Sequence, residues 1–314
     1  MWDWFAGLAI IGSLAGCFAR WAWVCELCAH FRLQYAIALA LLAAVAACRG
    51  GWQGACLTGG VALVHLSLIA PFYCRRLTPV AASTSIIRVL FANVLCFNRH
   101  PRALLDLLEA RAPDVVVLTE FSPEWLPTLS SLSTAYPVSK LHIYKGAYSI
   151  GLLSRMPVDD VRIVFPGPQG LPTIMGRVRV GARTLTVMGT HPRSPVTARG
   201  AALRDAQLRA LAQLASAQAG PVLLVGDLNT TSWSPIFGDV LRAGGLRDSR
   251  RGFGLQTTWP APLRWIGLSI DHALVSSDVT VRRHEVGPWI GSDHFPIVLD
   301  LALGASDENF SDGG

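Results

Sequence analysis

Lysine is nearly absent from this chain. Its 314 residues include 25 Arg but only Lys140 and Lys145. Arginine is the better bidentate partner for phosphate. A net charge of +6 does not by itself establish a nucleic-acid ligand. Charge of either sign is scarce in residues 1–73, which hold Asp3, Arg20, Glu26, Arg32 and Arg49 and no other charged residue. Uncharged runs of that length exceed the helices of an ordinary soluble core. A disulfide framework is lacking as well. Seven Cys is an odd number, and six of them lie in or beside apolar stretches, where Cys behaves as a small hydrophobe. Cys25-Glu26-Leu27-Cys28 is a lone CxxC, and the Ala29-His30 that follows misses the haem-attachment spacing by one residue. The start, "MWDWF", has no basic stretch, which argues against a secretory signal peptide. The same lack weakens "LAGC", residues 14–17, as a lipoprotein cleavage site. There is no internal repeat.

The first part of the chain reads as membrane-embedded. A span needs roughly 20 mostly apolar residues. Residues 4–25 and 55–73 qualify, and residues 33–48 form a shorter candidate. Arg20 must then snorkel or be paired. Trp2, Trp4, Trp21, Trp23, Trp52 and Tyr73 fall near the segment ends, as interfacial aromatics do. After Arg75-Arg76 the composition becomes that of a globular domain. The expected organisation is about three transmembrane helices in 1–75, a linker in 76–85, a globular domain in 86–303 and a disordered acidic tail in 304–314. Three spans place the termini on opposite sides. Arg32, Arg75 and Arg76 on one face, against Arg49 on the other, lean towards a cytoplasmic globular domain.

Residues 86–302 alternate strand and helix signals. "IIRVLFANV", "DVVVLTE", "AYSIGLLS", "DDVRIVF", "PVLLVGDLN", "IDHALVSS", "VTVRRHEVG" and "FPIVLDLAL" read as strands. "GRVRVGARTLTVMGTH" reads as a hairpin about Gly181-Ala182. "PRALLDLLEARAP" is a helix with Leu104, Leu105 and Leu108 on one face, ending at Pro113. "SPEWLPTLSSL" opens like a helix with Ser122 as cap. "TARGAALRDAQLRALAQLASAQAG" turns Leu208, Leu211 and Ala215 inward, and "WSPIFGDVLRAGG" is a shorter helix. Strands joined by helices in some places and hairpins in others fit two packed sheets covered by helices.

What terminates the strands is informative. Asn93, Glu120, His191, Asp227 with Asn229, and Asp271 each stand at the end or start of an apolar run, and Asp293-His294 precede the last one. Each alone has a bland explanation: an Asx turn, a helix cap or a core histidine. Their recurrence over some 200 residues points to one site at one sheet edge. The set offers oxygen and imidazole but no thiolate, which favours Mg²⁺, with Mn²⁺ as a substitute, over structural zinc.

The motifs "ANVL", "LTEF", "GTHP", "GDLNTTSWSP", "SIDHALVS" and "GSDHFPI", in that order, resemble the endonuclease/exonuclease/phosphatase superfamily over residues 86–302. With the apolar N-terminus and "RGFGLQTTWPAP", the chain is similar to a membrane-anchored bacterial branch, which implies a multi-pass inner-membrane protein. The resemblance implies an α/β fold, a four-layer sandwich of two mixed sheets flanked by helices. It implies metal-dependent phosphodiester hydrolysis, nuclease-like. Glu120 is then the principal Mg²⁺ ligand, Asn93 binds or orients the metal shell, and Asp293 completes it. Asp227 holds the attacking water, Asn229 donates to a phosphate oxygen, His191 serves the developing charge or the leaving group, and His294 pairs with Asp271. Leu95 stands where some nucleases of the family carry a second acid, and no partner for His191 is apparent.

The substrate is left as nucleic acid or a lipid headgroup. Arg193 and Arg199, with Trp233 and Trp259, could grip a phosphate backbone and stack bases. The membrane segments could instead hold the domain beside a phospholipid, sphingolipid or phosphoinositide. A non-catalytic membrane module is the weakest alternative, because every main position of the constellation is filled. No protein partner is expected.

Overall fold

The computed structural model describes residues 2–74 and 85–304. The expected linker and acidic tail fall almost wholly outside them. The N-terminal part is helical: α1 (Trp2–Ala15), α2 (Trp23–Ala29), α3 (Arg32–Cys48) and α4 (Trp52–Ile69), the last continued by a 3-10 turn to Phe72. Residues 4–25 therefore do not form the single straight span expected of them. The helix breaks after Phe18, and α2 leaves at 119° to α1. The break opens at Gly16, where a Cβ would stand 3.1 Å from the Cα of Ala29, so α2 folds back closely on a glycine. Glu26 and His30 on the far side of the bend are buried against the second part of the chain. Among the described residues one helix, Trp52–Phe72, is long and apolar enough to cross a membrane, and a second candidate is the bent pair. α3 is apolar but only 17 residues long. It packs against α4 as a hairpin, with Gly50 in the left-handed conformation at the turn.

The second part is a two-sheet sandwich. Its elements are β1 (Ile86–Asn93), α5 (Pro101–Arg111), β2 (Val115–Thr119), α6 (Leu126–Ser130), β3 (Val138–His142), β4 (Ile150–Ser154), β5 (Val158–Val164), β6 (Thr173–Val180), β7 (Arg183–Thr190) and α7 (Ala198–Ser216). They are followed by β8 (Val222–Asp227), α8 (Pro235–Gly244), β9 (Leu246–Asp248), β10 (Asp271–Ser276), β11 (Val279–Val286) and β12 (Ile297–Leu303). One sheet has the order β11-β12-β1-β2-β4-β3, and the other β5-β6-β7-β8-β10-β9. Each sheet contains one parallel pair, β1 with β2 and β7 with β8. Parallel neighbours need a crossover. Helices α5 and α7 provide the two.

Alternate residues of the central strands fill the space between the sheets, among them Val89, Phe91, Val117, Val187, Val225 and Ala273. The outer faces are covered by α5 and α6 on one side and by α7 and α8 on the other. On α5 the buried face is Leu104, Leu107 and Leu108, whereas Leu105 is half-buried. The i, i+3, i+4 spacing selects Leu107 in place of the expected Leu105. Ser122 occupies the cap position before a 3-10 turn and α6, but its side chain makes no capping bond to the backbone. The last strand begins at Ile297, because Pro296 has no N–H for a ladder.

The helical part is joined to the sandwich by specific polar contacts. Arg20 pairs with Asp239, and Gln34 donates to the carbonyl of Ile266. The Phe72 carbonyl accepts from the backbone of Gly252 and Gly254. Trp233 packs edge-on to Phe72 at 5.2 Å, and the Arg32 guanidinium lies over its ring. Trp233 thus belongs to this junction and not to a base-stacking surface.

Candidate active site

The two parallel pairs end at the same edge of the sandwich. Asn93 is in register with Thr119, Thr190 with Gly226, and Asp271 faces Asp227 across an antiparallel pair. Glu120, His191, Asp227 and Asp271 therefore leave neighbouring strand ends. Two glycines make the close approach feasible. A Cβ on Gly226 would stand 2.0 Å from the Thr190 carbonyl oxygen, so only glycine fits before Asp227. Gly291 has φ +88°, and a Cβ there would meet Asn98 Oδ1 at 2.5 Å. That turn aims Asp293 and His294 at the site. Glu120 and Asn229 also have positive φ, 59° and 50°, a conformation uncommon outside glycine and often held at functional sites.

Asn93 Nδ2 donates to Glu120 Oε1 at 2.7 Å and lies 3.3 Å from Asp227 Oδ2. Its carbonyl oxygen accepts from the Leu95 backbone at 3.1 Å. The amide thus presents N–H to the carboxylates. His191 Nδ1 lies 3.0 Å from the Ala147 carbonyl, an acceptor only, so Nδ1 carries the proton and donates. This backbone oxygen is the partner that the sequence did not reveal. The other nitrogen, Nε2, faces Asn229 Nδ2 at 3.3 Å, Glu120 at 3.4 Å and Asp227 at 3.6 Å. Asn229 is itself fixed: its N–H donates to Asp227 Oδ1 and its side chain to the Pro192 carbonyl. Tyr148 stacks obliquely on His191 at 5.4 Å. Arg193 and Arg199 are both exposed.

On the other flank His294 Nδ1 donates to Asp271 Oδ2 at 2.8 Å, and Nε2 lies 3.6 Å from Asp227 Oδ2. Asp271 is fully buried. Burial draws the His294 imidazole down, but Asp271 first and Asp227 second overcome it and raise it to about 10. It is therefore an imidazolium at neutral pH. Burial pushes the Asp227 carboxyl up to about 6, against the pull of His294. Asp293 accepts from the Trp259 indole N–H at 3.1 Å through Oδ2. Its Oδ1 is buried without a hydrogen-bond partner among the described residues.

One ligand atom each from Glu120, His191 and Asp227 lie within 4.8 Å of one another, and so do those of Asp227, Asp271 and His294. Asp227 is common to both groups. Four carboxylates face one imidazolium here, so the site is short of positive charge. The orphaned Asp293 oxygen and this excess of oxygen donors fit a hard divalent cation.

Behind the site lies a brace that sequence reasoning missed. Arg204 of α7 is wholly buried. It donates to both carboxylate oxygens of Glu26 at 2.7 Å and to the backbone carbonyl of Asn229 at 3.0 Å. Glu26 also accepts from Ser234, and His30 is hydrogen-bonded to Thr231 at 2.9 Å. Helix α2 thus grips the 229–234 turn from below. The available signal was Glu26 itself, a carboxylate inside an apolar segment.

Residues 90–294 match the profile described as the Endonuclease/Exonuclease/phosphatase family. No curated protein matches the chain. Several solved structures do. TDP2 of D. rerio, humanized by 14 mutations, is 21% identical with a TM-score of 0.57, over 69% of this chain and 98% of its own. The 3′ phosphatase NExo of Neisseria, bound to a product DNA hairpin, is 18% identical with a TM-score of 0.56, over 68% and 98%. Sphingomyelinase C of Streptomyces griseocarneus is 17% identical with a TM-score of 0.51, over 71% and 99%. At these identities the likeness is one of fold.

Proposed function

We propose, for a chain that belongs to the Endonuclease/Exonuclease/phosphatase family and so is a phosphoester hydrolase, that it cleaves phosphodiesters with Mg²⁺ while anchored in a membrane by its N-terminal helices. The observation that carries this reading is the continuous run of contacts from Asn93 and Glu120 through Asp227 to His294 and Asp271. It joins a cation-binding flank to a proton-handling flank.

Glu120, grouped with Asp227 and His191, would hold the cation, and Asp293, which lies in neither three-residue group, would complete its shell. Asn93, whose N–H faces Glu120, would orient that carboxylate in preference to ligating. When bound, the ion supplies positive charge to the phosphoryl oxygen and lowers the cost of bringing a nucleophile to an anion. Asp227, its carboxyl raised towards neutrality, is suited to accept a proton from the attacking water. Asn229 would donate to a phosphate oxygen by releasing the N–H that faces His191 Nε2. His294, kept charged and oriented by Asp271, stabilises negative charge as it develops. His191 has its proton on Nδ1 towards Ala147, so Nε2 is an acceptor, and it would serve the leaving oxygen only after taking up a proton beside Glu120 and Asp227.

The membrane reading is supported by the apolar helix Trp52–Phe72 and by outward-facing Trp4, Ile11, Trp21, Leu41 and Leu63. The distribution of Arg favours a cytoplasmic catalytic domain in a bacterial inner membrane. The test is a substrate panel on the full chain: single-stranded DNA, RNA, and phospholipid and sphingolipid headgroups, each with Mg²⁺. Hydrolysis of at least one class at the phosphodiester is expected. Inertness towards all of them contradicts the proposal.

A further inference from the structure

The catalytic domain carries an exposed apolar tip beside its junction with the helices. Residues Ala261–Ile266 form a 3-10 turn on which Leu263, Trp265 and Ile266 are 53%, 89% and 58% exposed. The tip is not a loose loop. Trp259 and Leu268 exchange backbone hydrogen bonds across its neck. Ala261 N–H donates to the Asp293 carbonyl at 2.7 Å, and the Arg264 guanidinium lies over the Phe295 ring at 5.3 Å. Exposed aromatic and aliphatic side chains are thus held out from the wall of the active site.

Its height relative to the helices is fixed by one contact. Gln34, in the first turn of α3, donates to the carbonyl of Ile266 at 2.7 Å and to that of Gly267 at 3.3 Å. The apolar outer face of α3 then continues away from the tip through Ile37 and Leu41, 49% and 63% exposed. The end of α4 lies against the same domain, at Phe72 with Gly252 and Gly254. A bilayer whose boundary lies where α3 starts and α4 ends therefore meets the tip. Its composition suits that depth: a Trp for the interface and two aliphatic chains to bury. A base-stacking platform would need aromatic faces along a basic groove. Leu263 and Ile266 offer none, and Arg264 is engaged with Phe295.

We propose that Ala261–Ile266 is a membrane-dipping finger that seats Leu263, Trp265 and Ile266 at the boundary between headgroups and acyl chains. This rests on the reading of the N-terminal helices as a membrane anchor. It brings Trp259 and Asp293, at the base of the finger, to the bilayer surface. The phosphodiester within reach is then one borne by a lipid.

The full chain is reconstituted in vesicles of phosphatidylcholine and phosphatidylglycerol, with or without bromine on the upper acyl chain of the phosphatidylcholine. Tryptophan emission is recorded for the wild type and for Trp265→Phe, whose difference is the emission of Trp265. Trp265→Tyr, a second variant, must give the same difference. Bromolipid is expected to quench that difference about twofold or more. An unquenched difference, with the chain still on the vesicles after an alkaline wash, overturns the finger and leaves the anchor standing. Release of the chain by the wash overturns the anchor reading itself. Quenching by single-stranded oligodeoxythymidylate and not by bromolipid overturns the finger in favour of a nucleic-acid contact.

Discussion

His294 is a buried cation between two carboxylates, and its behaviour can be worked out from that position. Its value is raised from 6.5 to about 10. A raised imidazole stabilises the fold fully below about 6.5, and that contribution is lost as pH rises through about 10. Activity that needs the imidazolium has an alkaline limb in the same window. Asp271→Asn removes the charge that contributes most to the rise and keeps the shape. The alkaline limb should move towards neutrality, and turnover should fall by about 10²–10⁴. A pH–rate profile at saturating Mg²⁺ measures both. An unchanged profile would mean that Asp271 serves only to start β10. On the other flank Glu120→Gln keeps the hydrogen bond to Asn93 within reach but removes a charge. The Mg²⁺ concentration for half-maximal activity should rise at least about tenfold, the equivalent of 1.4 kcal/mol, and a Mg²⁺ titration of turnover reads it.

At the scale of elements, the most consequential feature is α2 beneath the catalytic turn. Glu26 compensates Arg204, and Arg204 holds the carbonyl of Asn229. Arg204 also pairs with Asp205 at 2.7 Å, so loss of the Glu26 charge weakens its compensation without abolishing it, at a cost below the roughly 3–5 kcal/mol of a fully broken buried pair. Glu26→Gln should therefore lower thermal stability. It should also lower kcat, by roughly tenfold or more, because small displacements of positioned groups are costly, while KM changes little. Partial recovery of kcat in Glu26→Asp distinguishes positioning from simple loss of stability. A drop in melting temperature with kcat per folded molecule unchanged would assign Glu26 to the fold alone.

Legibility in the sequence follows the same division. β2 and β8 are continuous apolar runs bounded by polar residues, and β1 is one broken only by Arg88, so the strands and the groups at their ends could be read directly. β3, with no buried residue, and β9, three residues long, carry no such pattern. The break between α1 and α2 opens at Gly16, a weak signal inside an apolar run that also holds Gly7 and Gly12. The contacts that hold α2 beyond it, from Glu26 and His30, reach partners some 200 residues away. The Ala147 carbonyl that sets the tautomer of His191 is a backbone atom, which no side-chain motif can announce.

On the scale of the whole molecule, the catalytic edge and the apolar helices are one mechanical unit. The helices contribute Glu26 and His30 to the floor of the catalytic turn and Gln34 to the apolar tip. A reporter fused after residue 314 tests which side this unit occupies. Alkaline phosphatase should be inactive there if the domain is cytoplasmic, and its activity would place the domain outside. The account as a whole rests on a divalent cation at Glu120 working with Asp227 and His294. The most direct measurement is hydrolysis of bis(4-nitrophenyl) phosphate by the full chain, before and after exhaustive chelation and again after Mg²⁺ is restored. The account predicts loss of turnover on chelation, recovery with Mg²⁺, and little recovery in Glu120→Gln at the same concentration. Full turnover in the chelated protein would contradict it.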